Sequence, residues 1–256
     1  MIEYVPLIYT EKSCKLFPGM GTDIEENPVY GRLSLSAGAC LAALFFCSCS
    51  GVLGETPEEK LEKAIRNNSP AQTEALLAAG LSPNAASKTG RTPVMTAAAK
   101  DATDVIQALL RHKADLNLRD KKRQTALHLA ARWAKPATVK FLIENGAEKE
   151  SRDYLSWTPL MWSSLQGRTE VVRTLVEGGA SQATADATGN TPLILAAWRG
   201  HAETAGLLIR LGSDPEHRNN EGLNAAGVAE KNGFKELAEL LKSGSAAPPV
   251  IAASKK

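Results

Sequence analysis

A threonine that returns every 33 residues constrains this chain more than any other feature. Thr92-Pro93-Val94, Thr125-Ala126-Leu127, Thr158-Pro159-Leu160 and Thr191-Pro192-Leu193 stand 33 apart, and Asn224 opens a degenerate fifth copy at the same interval. A fixed period of this length belongs to a repeat array. Each unit buries its apolar face only against its neighbours, so the array needs no central core.

The best copy shows how one unit folds. Thr191 suits a helix N-cap, and Pro192 suits the first helical position, where no backbone N–H is needed. Leu193, Leu195, Ala196 and Ala197 give a short apolar helix face. Gly200-His201 make a turn, and a second helix runs through Ala205, Leu207, Leu208 and Ile209. Gly212 ends it where a left-handed backbone is required, and a polar loop leads on.

The Thr-Pro-Leu-x-Leu-Ala-Ala run, the Gly-His turn and the closing Leu-Leu and Gly resemble the ankyrin repeat family over roughly Thr56 to Ser243. The resemblance implies an all-α solenoid of helix-turn-helix units joined by β-hairpin loops. It also implies a non-enzymatic domain that binds another protein on a concave face. That face is formed by hairpin tips and the exposed side of the first helices. On this chain it would comprise Lys121, Lys122, Gln124, Arg132 and Trp133 of the third repeat, and Tyr154, Leu155, Trp157, Leu165 and Gln166 of the fourth. Asn190, Trp198 and Arg199 would come from the fifth repeat, and Arg91 and Lys100 from the second. Trp162 should point inward. Exposed Trp, Tyr and Arg are the residue types enriched at binding hot spots. The competing reading is that Trp133 and Trp198 merely pack across neighbouring first helices. A structural spacer, or an accessory that shields or regulates an envelope enzyme, is the alternative role.

Six repeats are expected, at 56–88, 89–121, 122–154, 155–187, 188–220 and 221–243. Thr56-Pro57-Glu58-Glu59 reads as a capping box that opens the first. Asp101 and Lys113 occupy positions where the family has Gly; Lys should cost about 1 kcal/mol there. Ala134-Lys135-Pro136 replaces the Gly-His turn of the third repeat, which predicts a reshaped turn. Ser163-Ser164 replaces the Ala pair of the fourth, and a hydroxyl there can bond back to the helix carbonyl four residues earlier. Glu230, Lys235, Glu236, Glu239 and Lys242 make the sixth a polar cap.

Ahead of the repeats, residues 1–32 read as a disordered extension or an over-long start, and residues 244–256 as a disordered tail. Leu33 to Gly54 carries no charge, with Arg32 before it and Glu55, Glu58 and Glu59 after. It reads as a signal peptide or membrane anchor. Three outcomes stay open: cleavage after Gly54, lipidation at Cys49, or retention as a span. The expected location is exported, with cytoplasmic as the alternative, and membrane contact would come through this segment alone. All four Cys precede the repeats, so no disulfide is expected within them.

No nucleophile elbow, zinc-protease motif or phosphate-binding loop is present, so no catalytic residue is assigned. His128 and His201 fall on the family's structural positions, and no His pair has metal-ligand spacing; neither metal nor cofactor is expected. Asp120, Asp153 and Asp186 recur 33 apart, each five residues before a Thr. Repetition argues for turn hydrogen bonds and against a catalytic dyad. A net charge of +2 gives no support for nucleic acid as partner. The expected state is a monomer bound to a protein of unknown identity.

Overall fold

The computed structural model describes residues 55–243. The N-terminal extension, the Leu33–Gly54 segment with Cys49, and the tail lie outside the described residues. Six helix pairs follow one another. They are α1 (Pro57–Arg66) with α2 (Pro70–Ala78), α3 (Pro93–Ala99) with α4 (Thr103–Arg111), and α5 (Ala126–Trp133) with α6 (Pro136–Glu144). Then come α7 (Pro159–Leu165) with α8 (Thr169–Glu177), α9 (Pro192–Trp198) with α10 (Ala202–Arg210), and α11 (Ala225–Lys231) with α12 (Lys235–Lys242). The architecture is an all-α repeat solenoid. No strand is assigned among the described residues; the expected hairpins are tight turns. No helix among them is long and apolar enough to cross a membrane.

The start signals read from sequence act as caps. The Thr56 hydroxyl accepts from Glu59 N–H at 3.2 Å, and the Glu59 carboxylate accepts from Thr56 N–H at 3.0 Å. Thr92, Thr158 and Thr191 each accept from the backbone N–H three residues on, and Asn224 does the same for Gly227.

First helices stack on first helices from α1 through α11, and each packs on its own second helix. Small side chains permit this close approach. Ala97, Ala98, Ala130, Ala131, Ala196, Ala197 and Ala229 are fully buried, as are Ser163 and Ser164. Ser163 Oγ donates to the Leu160 carbonyl at 2.9 Å, three residues back, while Ser164 Oγ is buried without a partner. Leu127, Leu129, Leu160, Leu193 and Ile194 fill the layer between neighbours.

The chain turns left-handed at positions that also repeat every 33 residues. Second helices end at Gly80, Lys113 (φ 64°), Gly146, Gly179 and Gly212. Inter-helix turns use Asn68, Asp101 (φ 59°), Gly167, Gly200 and Gly233. The third repeat departs as its sequence predicts: Ala134 is extended (φ −87°, ψ 171°). Asp101, one repeat earlier, supports that altered turn. Its Oδ1 accepts from Lys135 N–H at 2.9 Å and from the Thr138 hydroxyl at 2.6 Å.

A Cβ on Gly146 would meet nothing within 4 Å, so a side chain there costs only backbone strain. Gly146→Lys should lower stability by about 1 kcal/mol in urea unfolding, and Lys113→Gly should raise it by roughly half that or more. Equal midpoints for both variants and the parent protein would show that φ carries no strain at these two ends.

Candidate functional site

Each loop between repeats is built on one polar side chain. Asp120 Oδ1 accepts from Lys122 N–H at 2.8 Å and Gln124 N–H at 2.9 Å. Asp153 does the same for Leu155 (2.9 Å) and Trp157 (3.0 Å), and Asp186 for Thr188 (2.8 Å) and Asn190 (2.9 Å). Asn219 serves Glu221 and Leu223. In each turn the same residue's N–H also donates across the loop to the residue four further on, as from Asp153 to Trp157 at 3.0 Å. The recurring aspartates are turn formers, and Asn219 extends their series.

The other oxygen ties neighbouring repeats together. Trp157 Nε1 donates to Asp186 Oδ2 at 3.0 Å, and Gln124 Nε2 to Asp153 Oδ2 at 3.4 Å. Asn219 Nδ2 donates to Asn190 Oδ1 at 2.9 Å. Asp153 also receives Trp162 Nε1 at 2.9 Å and is almost wholly buried. Loop backbones join as well: Lys121 N–H donates to the Thr89 carbonyl (3.3 Å), Tyr154 N–H to Lys122 (3.0 Å) and Asn220 N–H to Thr188 (3.0 Å). The tips therefore form a hydrogen-bonded row.

His128 links loop to helix. Its Nε2–H donates to the Trp157 carbonyl of the next repeat at 3.0 Å, so Nδ1 accepts from Thr125 N–H at 3.1 Å. His201 reaches the Leu165 carbonyl and His217 the Gly189 carbonyl, each at 3.0 Å. All three are structural. Among the described residues no cluster of His, Cys, Asp or Glu suits a metal.

The residues of the expected face differ in exposure. Trp133 (55%), Tyr154 (55%), Trp198 (42%) and Leu155 (37%) are exposed, so both tryptophans pack with part of the ring and leave the rest in water. Lys121, Lys122, Gln166, Arg199, Arg91 and Lys100 are exposed too, and Asn190 is partly so. Three expectations are corrected. Leu165 is only 6% exposed; it packs with Met161, Trp162 and Leu195 between the fourth and fifth repeats. Gln124 is buried beneath the loop row. Trp157 is half-buried, its ring centroid 4.8 Å from that of Trp162 at an interplanar angle of 65° and its N–H on Asp186, so it fastens repeats together. Trp162 is buried, as the register requires.

Tyr154, Leu155 and Trp198 line one groove with Asn190, Thr188 and Asn220. Trp133 is not on it. It stands beside Arg132, whose guanidinium carbon lies 4.7 Å from the Trp133 ring centroid and 4.3 Å from that of Trp162. The sequence reading missed Thr188, Asn220 and Lys231, also on the groove. Register alone finds them: Asn220 stands two 33-residue steps after Tyr154.

A family model described as ankyrin repeats in three copies matches residues 61–153 and again 150–219. That is more than half of the chain, and the chain belongs to the ankyrin repeat family. Ankyrin repeats generally mediate protein–protein interaction and are typically non-enzymatic. No curated protein matches the chain.

Burial holds the His128 imidazole below its ordinary value of 6.5, although the Trp157 carbonyl and the Asp153 charge pull the other way. The unfolded chain then binds a proton that the folded one resists. The associated stability is present above about pH 6.5 and is lost as pH falls from there through the lower folded value. Met95 and Met161 occupy the aligned positions, each with sulfur 3.5 Å from the threonine N–H, so Met fits at 128. Thermal melts should drop further between about pH 7.5 and 5.5 for the parent protein than for His128→Met. Equal drops would contradict the neutral, N–H-to-carbonyl imidazole.

Proposed function

We propose that this chain is a non-enzymatic binding module that takes a protein segment across its hairpin tips and the groove behind them. The observation that carries this reading is the exposure of Tyr154, Leu155 and Trp198 along one groove. The tips behind them are held in a hydrogen-bonded row. Large apolar side chains left in water on a preorganised surface are what a partner's apolar groups bury. Rigidity lowers the ordering cost of binding. Trp133, with Arg132 and Arg199 alongside the two exposed indoles, widens the surface.

Two tryptophans separate binding from folding. Trp198→Ala should leave the melting temperature nearly unchanged and weaken the captured partner by about 2 kcal/mol or more. Trp157→Ala should destabilise the domain by about 2 kcal/mol or more, because it removes the Trp162 contact and the Asp186 bond. Melting curves and partner affinity for both variants provide the check. Unchanged affinity in Trp198→Ala, with loss in Lys140→Glu on α6, would move the binding surface to the second helices.

A further inference from the structure

The row of tips changes chemistry from one end to the other. The tip entering the second repeat carries Lys88 and Arg91, and the next carries Lys121, Lys122 and Arg123. All five are exposed. Beyond them come Tyr154 and Leu155, then Ala187 and Thr188, then Asn220 and Glu221. Glu221 is already paired with Lys231 at 2.6 Å.

Among the described residues, none of the five tip cations has an ion-pair partner. The carboxylate nearest in sequence, Asp120, uses Oδ1 on two backbone N–H groups. Lys63, Arg66, Arg111, Lys135, Lys140, Arg173 and Lys242 are paired, whereas Lys60, Lys100, Lys149, Arg152 and Lys235 are not paired among the described residues. The tips differ in gathering five cations on two neighbouring loops. Like charges gathered on two adjacent tips repel in the free protein and attract an anion.

Arg132 marks the boundary between the basic and aromatic ends. Trp133 and Trp162 lie against its guanidinium, no carboxylate pairs with it, and its buried Nε has no hydrogen-bond partner. Stacking occupies the guanidinium faces, whereas a carboxylate is recognised at the edge. The rings therefore orient this cation without consuming its capacity for an acid.

We propose that the partner's segment has an acidic block joined to an aromatic or aliphatic block. The acidic block lies over the tips of repeats two and three and reaches Arg132. The apolar block lies on Tyr154, Leu155 and Trp198. This rests on the reading of the face given above. A nucleic acid fits less well, because a uniform polyanion needs cations along its whole length. The tips from Tyr154 onward supply none.

The test uses the full chain and labelled synthetic peptides followed by fluorescence anisotropy. The probes are an acidic block joined to a Leu/Phe block, the same residues interleaved, the block peptide with every Glu replaced by Gln, and an oligothymidylate of matching length. The block peptide should bind best, by roughly tenfold over the interleaved and Gln forms, and weaken with salt. Lys121→Glu with Lys122→Glu should weaken it by roughly tenfold or more without shifting the melting temperature. Arg91→Glu, on the other tip, should act in the same direction. The proposal is overturned if the block peptide fails to bind, if the Gln peptide binds as tightly, if charge reversal has no effect, or if oligothymidylate binds as well. Binding of the Gln peptide that ignores charge reversal but is lost in Trp198→Ala would overturn this proposal alone and leave the face itself standing.

Discussion

The fold turns on one side-chain carbonyl oxygen, repeated at Asp120, Asp153, Asp186 and Asn219. Each accepts two backbone N–H groups of its own loop, two and four residues on. A loop this short cannot satisfy those donors with its own backbone, so the side chain supplies the acceptor. The second side-chain atom then binds the preceding repeat, through Gln124, Trp157 and Asn190. One register position, held by Asp or Asn, thus shapes these four tips and, at Asp153, Asp186 and Asn219, ties each to the repeat before it. Helix stacking alone would leave the tips free to splay.

The same arrangement separates what is buried from what is offered. Alanines and serines bring the first helices together, and the leucine layer fills the space between. Little of that interior reaches the loop row, so the tips can vary in chemistry without altering the stack. The variation is ordered: cations at one end, aromatic and aliphatic groups in the middle, neutral and paired groups at the other. Asp153 shows the limit of this freedom. It is buried, and it holds Trp162 as well as its own loop, so the aromatic middle of the face is also the most tightly braced part.

Much of this was legible in the sequence. The period located the helices, and the Thr-Pro caps, the recurring aspartates and the left-handed Lys113 and Asp101 read correctly from local chemistry alone. Three side chains did not. Leu165 sits at the end of a first helix, where register implies water, yet Trp162 of its own helix and Leu195 of the next repeat cover it. Gln124 and Trp157 occupy a loop position read as polar and exposed, but their N–H groups are consumed by the next repeat's Asp. Those contacts span 29 residues, and a periodicity of 33 reveals the position without revealing which neighbour it meets.

The central claim is that the loop carboxylate, more than the helix stack, fixes the face. Equilibrium unfolding of Asp153→Ala measures it most directly. Removing Asp153 strands the Leu155 and Trp157 amides and the Trp162 indole N–H, so the account predicts a loss of about 3 kcal/mol or more. A loss below about 1 kcal/mol, no larger than an ordinary surface substitution, would contradict it.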